Sequence, residues 1–490
     1  MKKSLLALSV AAALGAGASV AHAAANPETG NALVVPYYSV QNGNNTLINI
    51  VNTDTIRGKA VKVRFRGAEH SDDVYDFQLF LSPGDVWTAN VNQDGSGVAR
   101  LTTNDNSCTL PDAATLNASP FVTSRLAGTE AQKVAGTREG YVEIINMGDI
   151  INTGTAAQNA LYTATKHDNN GNVACTANVL QSVITGEVSQ LNVTSANGAG
   201  AARLSDTATG GLFANVTLIN VADATSWAYE ASIAYDNTPV ESRYWSQTNT
   251  AYAAGATGLE VVTADGIFLS GAAAYATTAH RPAQYDFPDL STPRVTGQTA
   301  EQWYEYVSGV ISNKASYYNE FITDSSIFAA TDWVFSFPTR RYAIEGRPLT
   351  SVRAGVLATG AAVTTTRLEP FASIYDAATN SISVASFASY DRSERTATTG
   401  VVVSPGQVVE LSLKGEVGVT SFNSATSQAL GAELTVNPAN VGYVDGWAQV
   451  TFAGAVPTIA KAFVYANNGG GATAHNFGGV WSHRTETSAY

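Results

Sequence analysis

The sequence predicts a mainly β protein of immunoglobulin-like β-sandwich units, with a few short helices and long loops. Apolar and basic residues alternate strictly from Val61 to Arg66, the period-two pattern of a strand with one buried face. Segments rich in β-branched and aromatic residues recur about every ten residues, as in sandwiches. Turn-forming clusters such as Ser82-Pro83-Gly84-Asp85 separate them. Together these observations favour antiparallel sheets.

Five strands are predicted first along the chain. Each is short, apolar and bounded by Asn, Gly, Asp or Pro. They are Leu33 to Tyr38, Thr46 to Val51, Ala60 to Arg66, Tyr75 to Leu81 and Val86 to Val91. Later strands are predicted at Trp333 to Phe337, Val401 to Leu413 and Gly446 to Phe452.

One strand motif recurs. The segment Thr46 to Val51 is echoed by Thr217 to Ala222 and, more weakly, by Val142 to Met147. Each copy contains an asparagine, which near a strand end can hydrogen-bond the following turn. The spacing is too irregular for a solenoid or propeller, so we interpret the copies as related sandwich strands. Chance similarity between strands is the alternative.

One amphipathic helix is predicted from Glu301 to Asn313. Its apolar residues follow helical spacing from Trp303 to Ile311, and Thr299 is placed to cap it. We expect the Trp303 and Tyr306 stripe, and Trp87 at the start of its strand, to pack into the core.

The chain begins with features of a secretory signal peptide. Residues 1–23 combine Lys2 and Lys3, an apolar run and small residues at a cleavage site. We therefore predict an exported protein at the outer-membrane surface or outside the cell. The predicted regions are the signal peptide (1–23), an N-terminal β-sandwich (24–150), a middle β-rich region with variable loops (151–295), and a helix plus C-terminal β region (296–490).

Composition limits the partners. Charged residues make up 14% of the chain and the net charge is −13, which becomes −15 once Lys2 and Lys3 are removed. With no basic patch, nucleic acid is a poor partner. An acidic protein would meet an anionic lipopolysaccharide surface through divalent cations, so calcium is a candidate, although no cofactor is assigned. Asp168 to Asn172 and Asn104 to Asn106 only loosely resemble calcium loops, and the sequence favours plain turns there.

Cys108 and Cys175 are the only cysteines. In an exported chain we assign them to a disulfide. A zinc site would need more ligands than these two thiols and nearby His167 supply.

No catalytic signature occurs, and we predict that the protein is not an enzyme. The histidines are scattered, with only His475 and His483 close together. Two charged clusters leave alternatives open. Asp72-Asp73 beside His70 could form an acid–base cluster, but a solvated loop is favoured. Arg340-Arg341 could pair with a neighbouring subunit or form a simple surface pair.

Several segments together match a known pattern. They are VPYYSV (35–40), TLINIVNT (46–53), VKVRFRG (61–67), LSPGDVW (81–87), NEF (319–321), TDWV (331–334), FPTRR (337–341) and GGVWSHR (478–484). In these islands the chain resembles nanopore-forming surface-layer proteins of Gram-negative bacteria. The central part fits only at 210–212 and 218–221.

The resemblance implies a structural protein that assembles with copies of itself into a pore-bearing sheet or filament on the cell surface. It supplies no catalytic residues. The alternative is a secreted adhesin or glycan-binding protein that presents a site on the loops from Thr194 to Gly211.

Overall fold

The computed structural model describes residues 29–124, 126, 128–152, 159–181, 204–244, 247, 288–295, 298–311, 313–344, 347–348, 363–364, 367–395, 411–467 and 476–486. The predicted signal peptide, residues 194–203 of the variable loop and residues 401–410 of one predicted strand lie outside these ranges. The structure is mainly β, as the sequence predicts.

The strands form two sets of antiparallel sheets, one in each half of the chain. In chain order they are β1 (Ala32–Ser39), β2 (Asn45–Asn52), β3 (Gly58–Gly67), β4 (Asp73–Leu81), β5 (Val86–Gln93), β6 (Ala99–Thr102), β7 (Cys108–Leu110), β8 (Glu139–Ile150), β9 (Thr207–Ala208), β10 (Leu212–Asn220), β11 (Thr225–Glu230), β12 (Ser232–Tyr235), β13 (Val240–Glu241), β14 (Asn313–Ile322), β15 (Ala330–Ser336), β16 (Arg347–Pro348), β17 (Val363–Thr364), β18 (Tyr375–Asp376), β19 (Ser381–Ser383), β20 (Ser386–Tyr390), β21 (Ser412–Lys414), β22 (Val417–Phe422), β23 (Val436–Ala439), β24 (Asp445–Pro457), β25 (Ile459–Tyr465), β26 (Gly479–Ser482) and β27 (Arg484–Glu486).

The N-terminal half, residues 32–235, contains two large sheets. Their strand orders are β12-β1-β8-β3-β4-β7 and β11-β10-β2-β5-β6. The C-terminal half, residues 313–486, contains the sheets β20-β24-β14-β27 and β23-β22-β15-β25-β26. Pairing within these four sheets is antiparallel except between β22 and β23, which run parallel. Smaller sheets join β9 with β13, β16 with β17, and β18 with β19 and β21.

The described helices are short. They are α1 (Ala113–Ala118), α2 (Glu130–Gly136), α3 (Ala160–Thr165), α4 (Ala177–Gln181), α5 (Ala300–Val310), α6 (Arg340–Ile344) and α7 (Phe371–Ile374). The amphipathic helix is α5, and its Thr299 cap is confirmed. The Thr299 hydroxyl accepts from the backbone N–H of Gln302, and the side-chain oxygen of Gln302 accepts from the backbone N–H of Thr299. The helix ends at Val310, three residues before the predicted end, and β14 begins at Asn313.

The first five predicted strands are confirmed as β1 to β5, with ends within two residues of those expected. The strand at 333–337 is β15 and the strand at 446–452 lies within β24. The two stronger copies of the recurring strand motif, in β2 and β10, also contact each other in the fold. Strand β10 pairs with β2 directly, with Thr217 opposite Leu47, so the two stronger copies are neighbours in one sheet.

Strand β3 departs from its expected pattern. All ten of its residues are buried, including Lys62, Arg64 and Arg66. The apolar face packs into the core, as alternation predicts. The basic face is covered as well: Arg64 donates to the carbonyl oxygen of Pro288 at 2.9 Å, and Lys62 donates to the side-chain oxygen of Gln247 at 3.0 Å. A single buried face was therefore the wrong expectation, and the reason is that ion pairs satisfy the second face.

Candidate functional site: a buried ionic junction between the two halves

Charged side chains from β3, β4 and β8 meet on one face of the N-terminal half. In the sheet register, Arg64 lies opposite Glu143 on β8, and Arg66 lies opposite Asp73 on β4. Alternation along β3 places Arg64 and Arg66 on the same face. The fold therefore brings two guanidinium groups and two carboxylates together without any contribution from loops.

Glu143 lies at the centre of this group. Arg64 Nη1 donates to its Oε2 at 3.3 Å, and Arg66 Nη2 donates to the same oxygen at 3.4 Å. Arg64 also donates through Nε to Asp73 Oδ2 at 3.0 Å. All four side chains are fully buried. Charges at this depth persist only when paired and hydrogen-bonded, as these are.

The C-terminal half supplies the other side of the junction through helix α6. Tyr342 donates its hydroxyl to Glu143 Oε1 at 3.1 Å. Arg341 donates to the carbonyl oxygen of Ser71 at 3.1 Å. Arg340 donates to the carbonyl oxygen of Glu69 at 3.1 Å and to Glu416 Oε1 at 2.9 Å. All five residues of α6 are buried, so the helix lies in the interior between the two halves.

The electrostatics of the carboxylates differ. Burial raises the pKa of Glu143, but Arg66, Arg64 and Arg341 outweigh burial, so its pKa is lowered overall. At Glu416 burial prevails over Arg340 and Arg341, and the pKa is raised. Burial likewise raises the pKa of Asp289, which faces Arg341. Of these three carboxylates, Glu143 is the one whose pKa the surrounding arginines lower.

Further contacts join the halves beyond the ionic centre. The indole of Trp227 donates to the carbonyl oxygen of Val464 at 3.0 Å. Asn44 donates to the carbonyl oxygen of Leu430 at 2.8 Å, and Glu139 accepts from the backbone N–H of Glu433 at 2.9 Å. One continuous hydrophobic cluster also includes residues of both halves. The two halves are thus fastened by polar and apolar contacts.

This junction is built for structure. Its guanidinium groups are occupied by carboxylates and backbone carbonyls of the same chain. Within the described ranges, no three His, Cys, Asp or Glu side chains are grouped closely enough to hold a metal ion. Buried ion pairs add little net stability over apolar packing, but removing one partner is costly, so such a network favours one arrangement of the halves.

The predicted disulfide is confirmed. Cys108 and Cys175 are bonded, with their Cα atoms 5.2 Å apart. The bond ties β7 to the segment after α3 and borders a cavity of about 450 Å³ that Leu110, Pro111 and Leu180 help to line.

The two charged clusters were misjudged. Asp72 and Asp73 do not form a solvated loop, because both are buried. Burial, together with Arg340, lowers the pKa of the nearby His70 to about 4. Arg340 and Arg341 are not surface residues and do not await a neighbouring subunit. Their partners are in their own chain, because the fold closes over them.

The candidate calcium loops are hydrogen-bonded turns, as the sequence favours. Asp168 Oδ1 accepts the backbone N–H groups of Asn170 and Asn172, both at 2.8 Å. These bonds lower the pKa of Asp168. Asp105 accepts in the same way from the backbone N–H of Ser107 at 2.9 Å. N–H groups directed at a carboxylate satisfy it without a cation.

The aromatic expectations are confirmed for the core positions. Trp87 and Trp303 are buried, and Tyr306 is partly buried and stacks on Trp303 with ring centroids 5.3 Å apart. His483 is also buried, against Trp333, and burial lowers its pKa to about 3. His475, the other histidine of the closely spaced pair, lies outside the described residues.

Sequence reasoning missed the acidic partners Glu143, Asp289 and Glu416. A usable signal was present for Glu143, which interrupts the apolar run from Tyr141 to Ile145. A charge inside such a run indicates a buried partner elsewhere. Asp289 and Glu416 lie in less regular segments and carry no comparable signal.

In comparisons with known proteins, no protein-family model, no curated protein and no solved structure matches the chain. No helix in the described ranges is long and apolar enough to cross a membrane.

Proposed function

We propose that this protein is a structural, non-enzymatic cell-surface subunit that assembles with copies of itself into a surface-layer-like sheet or filament with pores. Its subunit is built from immunoglobulin-like β-sandwiches. The family resemblance of the sequence supports this proposal, and so does the low content of charged residues. The observation that carries it is an exposed apolar surface to which both halves of the chain contribute.

This surface, the apolar patch, is formed by Val221, Ile327, Phe328, Val444 and Phe477. The carbonyl oxygen of Val444 accepts from the backbone N–H of Thr323 at 2.6 Å, which joins Val444 to the segment that carries Ile327 and Phe328. Four of the five side chains are more than half exposed, and Ile327 is 41% exposed. Exposed apolar clusters of this kind commonly mark interaction sites on soluble proteins. A subunit that must bind its own copies needs such a surface.

Backbone hydrogen bonds bring the patch together from distant segments. The N–H of Phe477 donates to the carbonyl oxygen of Ala466 at 2.8 Å. Asn467 follows Ala466 in the chain, and its backbone N–H donates to the carbonyl oxygen of Ile327 at 2.9 Å. The N–H of Asn476 reaches the carbonyl oxygen of Ala224 at 3.4 Å, which joins the turn carrying Val221. Both halves of the chain therefore contribute to the patch, and the buried junction fixes their relative position.

Apolar contacts also suit the charge of the subunit. A net charge of −13 makes copies repel each other, and exposed ion pairs offset only about 0–1 kcal/mol each. Contacts without charge must then supply most of the affinity. On the cell, the proposed partners are other copies and an outer-membrane or lipopolysaccharide surface reached through divalent cations, with carboxylates of exposed loops as the cation ligands. Asp72 and Asp73 are too deeply buried for that role.

The test is electron microscopy and sedimentation of the purified mature protein, with and without calcium. Wild type should form ordered arrays or filaments, and a Phe328→Ser, Phe477→Ser double variant should remain dispersed. The matched control is Ile56→Ser, which removes an equally exposed apolar side chain from the turn after β2. Arrays formed equally by the double variant would exclude the patch as the contact. Dispersed wild-type monomers under every condition would favour the secreted adhesin instead.

A further inference from the structure

The outer face of the sheet β20-β24-β14-β27 carries an aromatic pair that the core does not use. The inner face of β24 is buried through Ala448 and Val450. Alternation places Trp447 and Gln449 on the opposite face, where Trp447 is 41% exposed. This indole is not isolated, because a second aromatic ring lies beside it on the same face.

Trp447 is held in place by its neighbour. Tyr390 on β20 lies directly opposite Trp447 in the register, and the two rings stack with centroids 4.5 Å apart and planes 17° apart. Gly446 permits this approach, since a Cβ there would lie 1.9 Å from the carbonyl oxygen of Tyr390. Stacking of the two rings restrains their orientation, so ligand binding would order little.

Planar polar side chains surround the pair. On β14, Glu320 lies opposite Trp447 and Tyr318 lies opposite Gln449. On β27, Arg484 lies opposite Tyr318. In-register neighbours share a face of the sheet, so these groups extend beside the rings over three strands. We call Tyr390, Trp447, Gln449, Glu320 and Tyr318 the aromatic platform.

We propose that the aromatic platform binds an uncharged hexopyranose polymer. A pyranose ring presents C–H groups on its faces, which pack against an exposed indole. Its neighbouring hydroxyl groups are donors and acceptors at fixed spacing. The carboxylate of Glu320 and the amide of Gln449 offer the complementary acceptors and donors. An extended polymer can contact groups that are spread over several strands better than a single sugar does.

Charge favours a neutral ligand over an acidic one. Beside the platform, Arg484 and Glu486 are of opposite sign, and Arg392 at the edge is paired with Asp445 at 3.1 Å. Glu320 adds a negative charge, and the whole chain carries −13. An anionic polysaccharide would meet net repulsion, whereas a neutral one would not.

The experiment is native affinity electrophoresis of the full mature protein in gels containing dextran, laminarin or galactomannan, with alginate as the acidic comparison. At least one neutral polymer should retard wild type, and Trp447→Ala should weaken that binding by about tenfold or more. The matched control is Trp481→Ala, which removes an equally exposed indole from β26 in a different sheet and should leave retardation unchanged.

Two further variants separate binding from folding. Gln449→Ala and Glu320→Ala should weaken retardation while the thermal unfolding curve stays that of wild type. Retardation by no neutral polymer, or equal retardation of Trp447→Ala and wild type, would overturn the proposal. Retardation by alginate alone would overturn it too. Array formation by the Trp447→Ala protein is measured separately, so failure here leaves the assembly proposal standing.

Discussion

Replacing Glu143 with glutamine removes the central negative charge of the buried junction and keeps the side-chain volume. In the native protein this carboxylate accepts from Arg64 at 3.3 Å, from Arg66 at 3.4 Å and from the Tyr342 hydroxyl at 3.1 Å. Glutamine keeps only one acceptor oxygen, so its amide group must face either the two guanidinium groups or the Tyr342 hydroxyl. Two buried cations lose their shared counter-charge.

The expected cost follows from these distances. Each guanidinium–carboxylate pair contributes about 4 kcal/mol of attraction at an effective dielectric constant near 20. Part of that gain is cancelled, because the variant no longer has to desolvate Glu143. Removing one partner from a buried ionic network typically costs about 3–5 kcal/mol of unfolding free energy. An unfolding entropy of about 2.1 cal/mol/K per residue amounts to roughly 1 kcal/mol/K for a chain of this length, so we expect Tm to fall by about 3–5 °C.

Differential scanning calorimetry of the mature protein is the assay. The control is Glu130→Gln, which breaks the surface pair with Lys133 at 2.9 Å, where the glutamate side chain is 82% exposed. That change should cost about 0–1 kcal/mol and should vanish in high salt, whereas the loss at Glu143 should persist because the site is shielded from ions. Equal and small losses for both variants would refute the view that Glu143 anchors the junction.

Three further outcomes are expected from unfolding measurements. Burial raises the pKa of Glu139 to about 7, so the folded state binds its proton more tightly than the unfolded chain; stability should fall as pH rises from about 4.5 to 7. Glu139→Gln should flatten that slope and raise Tm at pH 8 but not at pH 4.5, and parallel pH profiles would argue against this carboxylate. Replacing Cys108 and Cys175 with serine should cost about 4 kcal/mol on the chain-entropy model, with mass spectrometry confirming the two-proton deficit of the wild type; an unchanged Tm would contradict a structural bridge. Trp87→Ala should cost about 3–5 kcal/mol in chemical denaturation, while Val86→Ala, on the exposed face of the same strand, should stay within about 0.5 kcal/mol.

Local features were predictable from the sequence because neighbouring residues determine them. Alternation located β1 to β5, and the Thr299 and Gln302 spacing located the start of α5. Two cysteines allow one intramolecular pairing, and that pairing is the one found.

Only the tertiary structure decided what covers the polar faces. Alternation in β3 shows that its two faces differ, but it does not show whether water or protein meets the basic face. Arg64 finds Glu143 79 positions away, and Arg341 finds Ser71 270 positions away. The pairing of Tyr390 with Trp447 likewise depends on sheet register. Sequence patterns report contacts within a few residues, whereas burial of a charge depends on partners that the chain brings back from far along its length.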